Sequence, residues 1–125
     1  MRRFLPLLAI LAAVPASARI DTARMLGGHA TGPAIHCLNP RDIQGQTLVN
    51  ESVIVFETRG RKYYRNDIVP SCPAIKPDRA IVTRSFGSSN ICEGDIFDVF
   101  DPVSRIGFGG CSFGAFTPYE LPPAK

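Results

Sequence analysis

The 125-residue sequence contains no tryptophan and only two histidines. It has no CxxC pair, which leaves a thioredoxin-like redox centre or a zinc ribbon without support. It has no CxxCH, so covalent haem attachment is excluded. "GFGGCSFG" has the glycines of a phosphate-binding loop but not the GK[ST] that would contact phosphate and magnesium. No internal repeat or heptad is present. No segment is apolar for long enough to cross a bilayer as a helix. Charge of one sign is also scarce: 14 basic residues stand against 11 acidic ones. Arg2 and Arg3 belong to the leader described next, and without them the balance is 12 to 11. A nearly neutral chain offers no electrostatic case for nucleic acid or an anionic membrane as partner.

What is present begins with "MRRFLPLLAILAAVPASA". Two arginines precede an apolar stretch from Phe4 to Val14, Pro15 breaks it, and Ala16 and Ala18 place small residues at the −3 and −1 positions. This order is that of an export signal cleaved after Ala18. No cysteine sits at the cut, so no lipid anchor is expected. The mature product, residues 19–125, is expected to be periplasmic or secreted, without a transmembrane anchor. Residues 19–34, with three glycines and a proline, read as a flexible lead. Residues 35–120 read as a single β domain and residues 121–125 as a tail.

All four cysteines, Cys37, Cys72, Cys92 and Cys111, lie in the mature part. An even count in an oxidising compartment predicts two disulfides. Three pairings are possible. The one preferred here is Cys72–Cys92, which closes the short loop, with Cys37–Cys111 joining the first element of the domain to the last.

Short strand signals recur along the domain. "VIVFET" (53–58) is an apolar, β-branched run and reads as a buried strand. Arg59-Gly60-Arg61 reads as a turn and "KYYR" (62–65) as the return strand of a hairpin. "RAIVTRSF" (79–86), "DIFDVFD" (95–101) and the glycine-rich "RIGFGGCSFGAF" (105–116) read as further strands, and "NPRDI" opens a helical turn. "TPYELPPAK" reads as a proline-rich tail. The fold class expected is all-β, a small antiparallel barrel or two-layer sandwich of five to six short strands, disulfide-stapled. With tryptophan absent, Phe56, Phe86, Phe97, Phe100, Phe108 and Phe113 are the candidate large core residues, some of which must face outward.

Few residues are candidates for chemistry. On a strand, Asp95 and Asp101 stand about 20 Å apart, too far to act as a carboxylate pair. They are expected to mark strand ends, with Asp98 solvated. His36 adjoins Cys37, but neighbours on a strand point to opposite faces and a disulfide leaves no thiol for a Cys–His dyad. The serines of "SFGSSN" and "CSFGAF" lack a histidine base on a rigid element. No cofactor or metal site is expected. The strongest partner-binding candidate is "RGRKYYR", in which Arg59, Arg61, Lys62 and Arg65 surround Tyr63 and Tyr64, a pattern able to stack on and pair with a polyanion or a sugar.

"HCLNPRDIQG", "YYRNDI", "PSCPAI", "RSFGSSNICEGDIFDVFD" and "GGCSFGAFTPYE" together resemble a family of small exported four-cysteine domains of unknown function from Gram-negative bacteria. The resemblance spans residues 35–120. It implies a disulfide-bonded β domain and no known activity, ligand or catalytic residue. The leading functional expectation is therefore a non-enzymatic binding or interaction module of the cell envelope, with another envelope protein as one partner class. The alternative is a small periplasmic enzyme or metal-binding protein whose site is hidden by sequence distance. Glu93, Asp95, Asp98 and His36 are the residues to examine for it.

Overall fold

The computed structural model describes residues 22–84 and 90–123. The expected signal peptide and Phe86 lie outside these residues. Among the described residues are a five-residue helix, α1 (Thr22–Leu26), and ten strands: β1 (His29–Ala30), β2 (Cys37–Leu38), β3 (Ile43–Asn50), β4 (Val53–Thr58), β5 (Lys62–Asp67), β6 (Ala80–Arg84), β7 (Ile91–Cys92), β8 (Ile96–Phe100), β9 (Gly107–Ser112) and β10 (Phe116–Glu120). A 3-10 turn at Pro40–Asp42 is capped by the Asn39 side chain, as "NPRDI" predicts. The strands form a five-stranded sheet in the order β1-β10-β5-β4-β3, a three-stranded sheet β6-β8-β9 and a two-stranded pair β2-β7. All paired strands are antiparallel. The chain is all-β and disulfide-stapled; its sheets do not close into a barrel, and the two-layer sandwich is the option that fits.

Side-chain alternation explains the layers. Ile54 and Phe56 of β4 point into the sandwich, where they meet Phe97 and Val99 of β8, Phe113 and Phe116. Phe113 sits at the centre of an aromatic stack, with ring centroids 4.5 Å from Phe97, 6.0 Å from Phe56 and 5.9 Å from Phe116. Val53 and Val55 point the other way, yet they are buried too. They pack with Val49, Tyr63 and Met25 of α1. Helix α1 thus covers part of the outer face, so β4 reads as an unbroken apolar run rather than an alternating one. Of the candidate core phenylalanines, Phe56, Phe97 and Phe113 are buried. Phe100 is half-buried and Phe108 faces outward beneath Arg79, whose guanidinium lies 3.6 Å from the ring centroid. Phe116 is the core aromatic that the strand reading placed at a strand end.

Three features differ from the expectation. First, Thr117–Glu120, the start of the segment read as a proline-rich tail, is strand: with Phe116 it forms β10, which lies inside the five-stranded sheet, between β5 and β1. Pro118 is tolerated there because its missing N–H would face the β1 side. That strand ends at Ala30, and Thr31 donates to the Pro118 carbonyl at 2.9 Å. Second, the packed unit starts before Ile35. Ile35 exchanges two backbone hydrogen bonds with Phe116, and His29 and Ala30 pair with Glu120 and Tyr119. Third, β3 carries a weak strand signal because it is an edge strand, whose exposed glutamines alternate with side chains only partly buried.

The disulfides also correct the expectation. Cys37 is joined to Cys92 and Cys72 to Cys111, not Cys72 to Cys92 and Cys37 to Cys111. Cys37 and Cys92 are direct partners across the β2–β7 pair, with Cα atoms 4.0 Å apart. Cys111 lies opposite Phe97 on β9, where it meets the buried Cys72 of the loop after β5. Loop length favours the shorter closure only slightly, by roughly 0.6 kcal/mol per doubling. Backbone pairing of distant strands outweighs it. Cleavage at Arg41, Arg65, Arg79, Arg84 and Arg105 puts each cysteine on its own tryptic peptide. Non-reducing peptide mapping is therefore expected to find Cys37 with Cys92; a Cys72–Cys92 peptide would contradict the fold.

One buried amide closes the sandwich. Asn66 of β5 is fully buried; its Nδ2 donates to the Gly114 carbonyl at 2.8 Å and its Oδ1 accepts from the Gly114 N–H at 2.9 Å. Gly114 has no room for a side chain, since a Cβ would collide with the Asp67 carbonyl. Asn66→Ala leaves both Gly114 groups unpaired and is expected to cost about 2–4 kcal/mol. Urea unfolding monitored by tyrosine fluorescence checks this, and a loss below about 0.5 kcal/mol would show that the clamp is dispensable.

Candidate functional site

The hairpin between β4 and β5 turns through Arg59, Gly60 and Arg61. Gly60 and Arg61 both have positive φ, +77° and +58°. Arginine is disfavoured in that region by about 1–2 kcal/mol, so the fold holds the Arg61 side chain at a cost. From the turn, β5 sends its side chains to alternate faces. Tyr64 packs partly into the main core, whereas Tyr63 lies on the outer face beside Val49, Val53 and Val55. One tyrosine inward and one outward is what the strand pattern predicts.

Three depressions meet at Tyr63. One, of about 450 Å³, is lined by Arg61, Lys62, Tyr63, Tyr64, Tyr119 and neighbours. A second, of about 400 Å³, adds Arg24, Glu57 and the Leu121–Pro123 segment. A third, of about 140 Å³, extends past Glu57 to Gly45 and Thr47. Cross-strand register explains the convergence: Glu57, Tyr63 and Tyr119 stand side by side on β4, β5 and β10. Arg24 of α1 donates to the Pro122 carbonyl at 3.1 Å and so ties the N-terminal helix to the C-terminal segment along the rim. Gly28 sits against the Tyr119 ring and the Glu120 carbonyl, where no Cβ fits.

Arg65 works differently from the other hairpin cations. Its Nε donates to Asp67 Oδ1 at 3.0 Å and its guanidinium lies 5.8 Å from the Tyr119 ring centroid. Partial burial opposes its charged form, but Asp67 and Tyr119 outweigh this and hold its pKa above the ordinary value. The buried Tyr119 hydroxyl forms no hydrogen bond of ordinary geometry. Of the six sequence candidates, Arg61, Lys62, Tyr63 and Tyr64 therefore gather at one depression, while Arg59 and Arg65 stand apart from it. Sequence reasoning missed Arg24, Glu57, Tyr119 and Glu120. They come from separate elements, and Arg24 and Tyr119 fall in segments read as lead and tail.

The histidine and carboxylates considered for catalysis or metal binding do not converge on one site. His36 Nδ1 and Glu93 Oε2 are 2.8 Å apart, on the exposed surface beside the Cys37–Cys92 bridge. Asp95 Oδ2 accepts from the Cys92 N–H at 2.8 Å and holds the turn through Gly94. Asp98 pairs with Arg84 Nε at 2.6 Å. Among the described residues, no three His, Cys, Asp or Glu side chains are placed to hold a metal ion. Gly110-Cys111-Ser112-Phe113-Gly114 has the letters GxSxG, but a nucleophile elbow requires a strand–turn–helix. Here Ser112 ends β9 and the chain continues into another strand, β10.

Compared with protein-family models, curated proteins and solved structures, the chain has no match.

Arg61→Gly relieves the positive φ but loosens the unfolded chain, so stability is expected to change by less than about 1 kcal/mol. A loss above about 2 kcal/mol in chemical denaturation would give Arg61 a structural role instead.

Proposed function

We propose that the protein is an exported, non-enzymatic binding module of the cell envelope, acting through the surface around Tyr63. The observation that carries this reading is the convergence of three depressions on one outward tyrosine, rimmed by groups from α1, the hairpin and β10. The arrangement supplies an apolar wall and charged hydrogen-bonding groups, which is what recognition requires. An extracytoplasmic address is supported by the charged, apolar and small-residue order of residues 1–18 and by two disulfides, which persist in oxidising compartments. Among the described residues no helix is long and apolar enough to cross a membrane.

Arg61 and Lys62 are the hairpin cations at the depression, and neither has an ion-pair partner among the described residues. The full chain produced with its leader is expected to yield a mature protein beginning at Arg19, four hydrogens lighter than its reduced form. That protein is expected to sediment with cell envelopes from the producing cells. Arg61→Glu with Lys62→Glu is expected to weaken the association by about tenfold or more without unfolding the domain. Undiminished sedimentation of the double variant would remove this surface as the interface.

A further inference from the structure

Resting on the binding-module reading, we infer that the ligand of the Tyr63 surface is a neutral oligosaccharide. The composition of the rim points to this class. Around the two larger depressions both signs of charge are present: Arg24, Arg61 and Lys62 stand against Glu57 and Glu120, an excess of a single positive charge. A polyanion would meet two carboxylates there, and one sign of charge does not dominate as it must for counterion-driven binding.

A neutral polyol uses both signs. Each hydroxyl donates and accepts, so carboxylates such as Glu57 and Glu120 take its protons, and a guanidinium such as that of Arg61 donates two parallel hydrogen bonds to adjacent oxygens. Tyr63 supplies a flat aromatic wall for the apolar face of a sugar ring. Tyr63 lines all three depressions, which are separate hollows side by side rather than one deep cavity. A linear chain of rings suits that shape better than a single compact molecule.

Envelope material can be fractionated to test this without knowing the sugar. Envelopes are digested with proteinase K and then extracted with chloroform–methanol, and sedimentation of the mature protein is compared at 0.1 and 0.5 M NaCl. Binding is expected to survive both treatments and to change less than about threefold with salt. Loss after protease would identify a protein partner. Loss after extraction would identify a lipid. A fall of tenfold or more in high salt would identify an acidic polymer. Each of these overturns the inference while leaving the binding-module reading intact. Failure to bind untreated envelopes would remove the module reading itself, and the inference with it.

Two variants complete the test. Tyr63→Phe keeps the ring and is expected to bind the extracted residue within about threefold of the parent. Tyr63→Leu keeps apolar contact with Val49, Val53 and Val55 but removes the ring, and a loss of about tenfold is expected. Undiminished binding by a folded Tyr63→Leu protein would overturn the inference.

Discussion

The structure depends on the way Asn66 holds Gly114. The chain must leave the three-stranded sheet at the end of β9 and enter the five-stranded sheet as β10 within Phe113 to Ala115. A backbone crossing between layers in a core carries polar groups with no strand to pair with. The Asn66 amide supplies one donor and one acceptor to the same residue and satisfies both. With Gly114 fixed, Phe113 and Phe116 on either side of it enter the core from one short link. They meet Phe56 from the larger sheet and Phe97 from the smaller one. A single buried polar pair thus orients the aromatic stack that binds the layers.

The covalent bonds reinforce that arrangement in two places. Cys72–Cys111 attaches the loop after β5 to β9, close to the chain switch in sequence. Cys37–Cys92 fastens the two-residue strands β2 and β7, which are too short to be stable as an isolated pair. Both bridges close long loops, 55 and 39 residues in separation, and in the chain-entropy model each contributes roughly 4 kcal/mol. A domain of this size buries a limited core, and such staples offset the deficit.

The surface around Tyr63 is a by-product of the same topology. Placing β10 beside β5 sets Tyr119 next to Tyr63, and pairing β1 with β10 draws the N-terminal segment across the edge of the sheet. Helix α1 then packs Met25 with Val49, Val53 and Val55 and brings Arg24 to the rim of the tyrosine surface. Apolar coverage and an open aromatic site are therefore neighbours on one face. The three-stranded sheet presents a different outer face, where exposed Val82 and Ile96 flank the Arg84–Asp98 pair and Phe108 lies outward beneath Arg79.

By itself the sequence determined the elements whose signal is local. "VIVFET" is β4, "KYYR" opens β5 and "DIFDVFD" contains β8, because alternation and β-branching act within a few residues. The all-β class and the formation of two disulfides follow from turn spacing and from an even cysteine count. Tertiary structure alone decided the rest. Cysteine partners were settled by which strands lie side by side, since loop entropy distinguishes the pairings too weakly. Phe116–Glu120 became an interior strand despite its proline because the neighbouring strand ends where the missing N–H would have mattered. Half of the candidate site was legible in "RGRKYYR". Arg24, Glu57, Tyr119 and Glu120 were not, because residues 24 and 119 become neighbours only through the pairing of the chain's two ends, an interaction that no local pattern encodes.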